Sequence, residues 1–413
     1  RDSIPKFSRV VTRDEVRANG YNLNIPRYVD SSEQSEHWDI YASMFGGVPN
    51  REIDELAAYW TAFPSLRQQL FQENGTPYAT LASEQVKEIV TDNMDVQAFI
   101  QQYHNAFADF PAYLKKELLD NMMQVHLATE VGAISEDIFT RLAAVPLLDF
   151  YQAYQMLDDA WTTIATDLEM VQTEGFDAVR KVDPNLVLKK KDGKEIEVQE
   201  GWLGHIIPFE LVWQQLLQEK YAALKAKEER LSAIPADYEE LIESMTEEEK
   251  DSDVLNDAGD AFVAKEVTKK AKELRATAQT EEETAFLEKL HQVEELMKEE
   301  KALKTQIKAD TNALQTKTIE TIETLPDATA LQLLQEKWIT PLCTSLAEMP
   351  RLLLDDFIKQ IQALADKYDS TYLDITTQIT EAEQALAAMI DDLEGNEFDK
   401  KGLAEFQALL LGE

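Results

Sequence analysis

The chain has 413 residues, 44% of them hydrophobic and 29% charged, which is the composition of a globular protein with room for more than one core. Its 78 Asp and Glu outnumber 40 Lys and Arg, a formal charge of −38 that opposes broad contact with a phosphate backbone. One cysteine, Cys343, excludes an internal disulfide and fits a reducing cytoplasm, and the apolar runs fall far short of the about 20 residues that span a bilayer.

The sequence opens on Arg1 without an initiator Met, so a preceding segment is expected. Phe7–Thr12 has strand character, Thr12–Ala18 reads as a short helix capped by Thr12, and Asn19-Gly20 reads as a turn. Residues 1–30 therefore read as the closing edge of a domain and residues 31–50 as a connector. The Gly46-Gly47 pair in "FGGVPN" lacks a G-x-G-x-x-G context and reads as a turn before a helix that Asn50 caps.

Helical periodicity dominates 51–205, with breaks expected at Asn74-Gly75, Asp109–Pro111, Gly132 and Pro146. The clearest helix is Leu147–Glu174, where Tyr154, Leu157, Trp161, Ile164, Leu168 and Val171 alternate at spacings of three and four and Gly175 stands at the C-cap. Asp192-Gly193 between alternating runs predicts a β-hairpin near 186–199 that must rest on helices. Its tip holds the one dense basic cluster, Lys189, Lys190 and Lys191, a possible phosphate contact whose ordinary reading is a solvated turn.

Residues 206–326 read as a long helical arm. A helix enters at Pro208 and runs toward Leu231, the stretch 237–260 is acidic and uneven with "TEEEKDSD" (246–253) reading as a mobile connector, and Ala261–Thr324, without Gly or Pro, reads as one solvent-washed helix. Phe286, Val293, Ile307 and Leu314 share its heptad row with Glu300, which makes the seam imperfect.

Residues 327–413 read as a helical docking unit. The stripe Leu346, Met349, Leu353, Phe357, Ile361, Leu364, Tyr368 continues in phase through Ile375, Ile379, Leu386 and Leu393. This favours one helix from Arg351 to Leu393. The competing reading is a hairpin turning at Asp369-Ser370, with Thr371 and Asp374 as a capping box. Ile375, Ile379, Leu386 and Met389 are expected to be left for a partner.

No catalytic constellation emerges. His37, His104, His126, His205 and His291 lack metal-ligand spacing. His205 reads as a packed, hydrogen-bonded histidine, and Asp158-Asp159 as a solvated helix flank. No nucleophile-elbow or phosphate-loop motif occurs. The predicted fold is mainly α, an elongated helical bundle with long coiled-coil-like helices, a small β-hairpin and a short mixed N-terminal segment.

"KFSRVVTRDEVRANGYNLNIPRYVD" resembles the block that closes the catalytic domain in modification subunits of type I restriction-modification systems, the adenine-specific DNA methyltransferases, with Tyr21, Asn22, Leu23, Asn24, Arg27, Tyr28 and Val29 matching. "YASMFGGVPNREIDELAAYW", "AYQMLDDAWTTIATDLEMVQTEG", "EGWLGHIIPFELV", "EKWITPLCTSL" and "MIDDLEGNEFDKKGLAEFQALLLG" resemble blocks from a long-tailed branch of the same family. In that family S-adenosylmethionine is held by a Gly-containing loop, and the target amine by an Asn- or Asp-Pro-Pro-aromatic motif. Neither motif is in this sequence. The resemblance thus implies a catalytic domain upstream of Arg1, no catalytic or cofactor residue here, and assembly with a DNA-specificity subunit, a second modification subunit and a restriction subunit. The reading from another class is an acidic helical scaffold or DNA mimic without enzymatic activity.

Overall fold

The computed structural model describes residues 8–29, 37–191, 194–277, 279–394 and 396–411, the side chains of 189–196 and of Asp391 excepted. The chain is mainly α, as its periodicity predicts, with one three-stranded and one two-stranded antiparallel sheet among the described residues. It divides into two compact units: Arg1–Ile100 with Arg351–Glu413, and Gln101–Pro350.

The first unit joins two stretches that are distant in sequence. Short helices Ile40–Phe45, Asn50–Asp54, Ala57–Ala62 and Leu66–Leu70 surround a small sheet that periodicity does not reveal. In it Val48 pairs with Ala79, and Phe71 on the other side pairs with Leu81. The "FGGVPN" turn is needed to enter this sheet: Gly46 and Gly47 take φ of 85° and 89°, a region that side chains avoid. The following helix begins at Asn50 with Pro49 as its N-cap residue, one position before the expected cap.

Helix Met349–Lys367 supplies the other half of this core. Phe357 is fully buried, stacks on Tyr59 at 4.3 Å between ring centroids, and meets the edge of Trp60 at 5.5 Å. The helix does not continue to Leu393. It stops at Lys367, and a new helix, Tyr372–Asp391, starts from Thr371. Thr371 Oγ1 accepts from Asp374 N at 3.1 Å, and Thr371 N donates to Asp374 Oδ2 at 3.1 Å. That capping box terminates what the unbroken stripe suggested was one helix. The second helix packs on Ile40–Phe45 and on Glu397–Leu411.

At the break, a polar network joins the two stretches. The buried Glu52 carboxylate takes Lys367 Nζ at 2.9 Å and Tyr368 Oη at 2.7 Å. Asp39 N donates to the same Tyr368 oxygen at 3.1 Å, while the Asp39 carboxylate accepts from Ala42 N, Tyr78 Oη and Arg51. The Ala42 backbone bond is the chief reason that the Asp39 carboxyl is held below its ordinary pKa.

In the second unit, helix Phe150–Glu174 is capped by Asp149 and closed by Gly175 at φ 86°, and buries Leu157, Trp161, Ile164, Leu168 and Val171 as its stripe predicts. Tyr154 of that stripe is exposed. The helix packs against Leu127–Leu142, Asp327–Trp338 and Thr340–Ala347. Gly132 lies inside Leu127–Leu142 and breaks nothing. The predicted hairpin is present and longer than expected, Val182–Lys191 paired with Lys194–Gly204. A Cβ at Gly204 would lie 1.8 Å from the Ile207 carbonyl oxygen, so only glycine lets the strand end turn there.

The stretch after Pro208 is two helices, Phe209–Gln215 and Gln218–Glu243, and the latter runs past Pro235. The acidic stretch expected as a connector is folded: Thr246 and Glu249 form a capping box, Leu255 bridges Phe262, and Met245, Val254 and Leu255 join a core with Val267, Ala271, Phe286, Leu290 and Val293. Ala264–Thr277 and Glu281–Glu323 replace the single helix expected over 261–324. Glu300 sits in the seam as read from the sequence, accepting from Tyr238 Oη at 3.1 Å and from Lys304.

Replacing Lys367 with Met strands the Glu52 carboxylate with Tyr368 as its remaining partner. A loss of about 3 kcal/mol in unfolding free energy is expected. Urea denaturation checks this, and an unchanged midpoint contradicts it.

Candidate functional site: exposed docking surfaces

Much of the hydrogen bonding of residues 12–29 is local. Thr12 Oγ1 accepts from Glu15 N at 3.3 Å and starts helix Arg13–Ala18. The chain then turns through Gly20 and Tyr21, both at positive φ, with Tyr21 N bonded to Val16 O at 2.9 Å and Arg17 Nε to Tyr21 Oη at 3.2 Å. Asn22 organises the rest: its Oδ1 accepts from Asn24 N at 2.9 Å, and its carbonyl oxygen accepts from Tyr28 Oη. Asn24 precedes a single 3₁₀ turn, Ile25–Arg27. Of the stretch expected to have strand character, Phe7 lies outside the described residues, Ser8 is in a β-bridge, and residues 9–12 are not in a strand.

This segment has form without a core of its own. Leu23 is 74% and Ile25 70% exposed, and Val10 and Tyr21 are also more than half exposed. A motif whose turns are fixed by local hydrogen bonds while its apolar side chains face outward is suited to cover another apolar surface.

The C-terminal helices form a second such surface. Tyr372–Asp391 buries Ala387 and Ile390, and Gln407 Nε2 of helix Glu397–Leu411 donates to Ala387 O at 3.0 Å. Ile375, Ile379, Leu386 and Met389 stay exposed, at 48%, 52%, 43% and 66%. Leu393, Phe398, Phe406 and Leu409 are exposed as well.

The remaining candidates do not assemble with these. Lys189, Lys190 and Lys191 are in register with Ile196, Glu195 and Lys194, but their side chains, and the Asp192-Gly193 tip, lie outside the described residues. No metal-binding group of His, Cys, Asp and Glu occurs among the described residues. Asp158 and Asp159 are exposed. Burial pushes the half-buried Cys343 thiol up to about 11, which leaves it protonated and unreactive at neutral pH. No helix among the described residues is long and apolar enough to cross a membrane.

His205 is packed and hydrogen-bonded, at the base of the hairpin. Nδ1 lies 2.6 Å from Asp183 Oδ2 and Nε2 3.2 Å from Glu174 Oε1. With carboxylates on both ring nitrogens, the imidazolium form donates twice. The Asp183 bond is the main cause that raises its pKa above the ordinary value. Lys181 also donates to Glu174.

Residues 1–37 match the family model of N-6 DNA Methylase. No match was found among curated proteins or among solved structures. The matched stretch contains the Tyr21–Tyr28 motif and ends before the helical body begins.

Because the folded-state pKa of His205 is raised, its contribution to stability is complete below about pH 6.5 and is lost as pH rises through the folded value. His205→Gln is expected to flatten the stability profile above about pH 6.5. Thermal unfolding followed from pH 5 to 9 in wild type and variant tests this, and parallel profiles contradict it.

Proposed function

We propose that this chain is the C-terminal assembly region of the modification subunit of a type I restriction-modification enzyme. It docks an adenine-specific, S-adenosylmethionine-dependent DNA methyltransferase domain onto the DNA-specificity subunit. The observation that carries the reading is the N-6 DNA Methylase match over residues 1–37, falling on a motif that exposes Leu23 and Ile25 instead of burying them. Such a segment closes a neighbouring catalytic domain, and the helical body that follows reaches toward partners.

The division of labour rests on the resemblance to the modification subunits. The cofactor loop and the amine-holding motif belong to the methyltransferase domain, where the target adenine is flipped from the duplex and its amine takes the cofactor's methyl group. This chain supplies apolar helix faces, of which Ile375, Ile379, Leu386 and Met389 are the docking residues for the specificity subunit. A second modification subunit and a restriction subunit complete the cytoplasmic assembly.

The ion pairing favours assembly over mimicry of DNA. Carboxylates of the arm are tied to cations of the same chain, Glu299 to Arg230, Asp310 to Lys227 and Glu249 to Lys289, each within 2.8 Å. A phosphate mimic needs them free and in a continuous exposed row.

Co-expression with the specificity subunit is the direct test. Ile379→Asp with Leu386→Asp is expected to abolish co-purification while the circular dichroism spectrum is kept, and unchanged co-purification refutes the docking assignment. The chain by itself is expected to give no heat of binding with S-adenosylmethionine in calorimetric titration, and micromolar binding overturns the assignment of chemistry to another domain.

A further inference from the structure

The exposed face of Tyr372–Asp391 has a regular seam and a charge of one sign. Ile375, Ile379, Ala382, Leu386 and Met389 follow one another at spacings of four, three, four and three, and all are exposed, with Leu393 four residues on, just past the helix end. That is an open heptad row, whose ordinary occupant is another helix. Its immediate flanks include Glu383 and Asp392. From Tyr368 to Asp399 the sequence holds nine acidic residues and no Lys, Arg or His. The bordering Lys367 is already committed to Glu52.

We propose, building on the reading of this helix pair as a docking surface, that its occupant is a single basic amphipathic helix, with apolar side chains at heptad spacing and Lys or Arg flanking them. Apolar burial supplies the affinity, and the flanking charges set partner choice. A second copy of this chain is disfavoured, since it would bring together two stretches that each hold nine acidic residues and no Lys, Arg or His from Tyr368 to Asp399. Nucleic acid and anionic lipid are repelled for the same reason.

The test titrates the whole chain with two synthetic helical peptides of about four heptads. They share a Leu/Ile seam and differ in having Lys or Glu at the flanking positions. Fluorescence anisotropy at about 0.05 M salt is expected to show the Lys peptide binding at least about tenfold tighter, with the gap narrowing at about 0.5 M as the charges are screened. Glu383→Lys with Asp392→Lys is expected to reverse the preference, and Ile379→Asp with Leu386→Asp to remove binding of both peptides. Equal affinities, binding of neither peptide, or sedimentation showing a dimer that Ile379→Asp disrupts would each overturn the proposal. Capture of the specificity subunit that is lost with Ile379→Asp and Leu386→Asp, yet indifferent to the charge reversal, sinks the basic-helix inference and leaves the assembly reading standing. Lys-peptide binding without any capture does the opposite.

Discussion

The first unit depends on a buried carboxylate. Glu52 accepts from Lys367 and Tyr368, which come from the other of the two stretches that make up the unit, and a buried carboxylate is costly without such partners. Those contacts draw together two stretches between which Gln101–Pro350 intervenes, a closure whose entropic cost grows only slowly with the length of the intervening segment. Lys367 also lies over the rings of Trp38 and Tyr368, at 5.4 and 5.1 Å from their centroids, so the same cation organises the segment that precedes helix Ile40–Phe45. The same network borders the docking surface. Tyr368 bonds Glu52 and Asp39 at the point where helix Met349–Lys367 ends, and Thr371 caps the start of helix Tyr372–Asp391.

The second unit repeats the device with different partners. Asp167, on the buried stripe of Phe150–Glu174, accepts from Lys337 and from Trp338 Nε1 at 2.7 Å, and Lys337 also donates to Ile206 O at 2.6 Å. One carboxylate thereby fixes where three elements meet. Trp213 Nε1 bonded to Thr318 Oγ1 at 2.7 Å does the same on the long helix Glu281–Glu323. Directional polar contacts select one packing out of the many that interchangeable Leu, Ile and Val faces would tolerate.

Periodicity made long elements legible and short ones invisible. The heptad stripe of Phe150–Glu174 and the Asp-Gly hairpin are both in the sequence because each repeats a pattern over ten residues or more. The three-stranded sheet is not, since strands of two to four residues at Val48–Pro49, Phe71–Glu73 and Tyr78–Leu81 carry too few alternations to register. The stripe through Tyr368 misled for a related reason: hydrophobic phase reports which side of a helix is apolar, not whether the helix is continuous. The signal that could have decided it was the Thr371–Asp374 capping box, a better stop mark than an absent Gly or Pro. Nothing in the pattern distinguished Glu52 and Asp167 from solvated carboxylates, because their cations come from residues that are remote in sequence.

The candidate surfaces follow from the same accounting of polar and apolar groups. Residues 12–29 fix their turns with local hydrogen bonds of Thr12, Asn22 and Tyr28 and then expose Leu23 and Ile25. The C-terminal pair satisfies its start with Thr371 and Asp374 and then exposes Ile375 through Met389. A surface of this kind is pre-organised: its backbone is already ordered, so association spends little on folding it and the apolar burial remains available as affinity. The −38 charge acts on the same faces, since like charge opposes the approach of two copies of the chain.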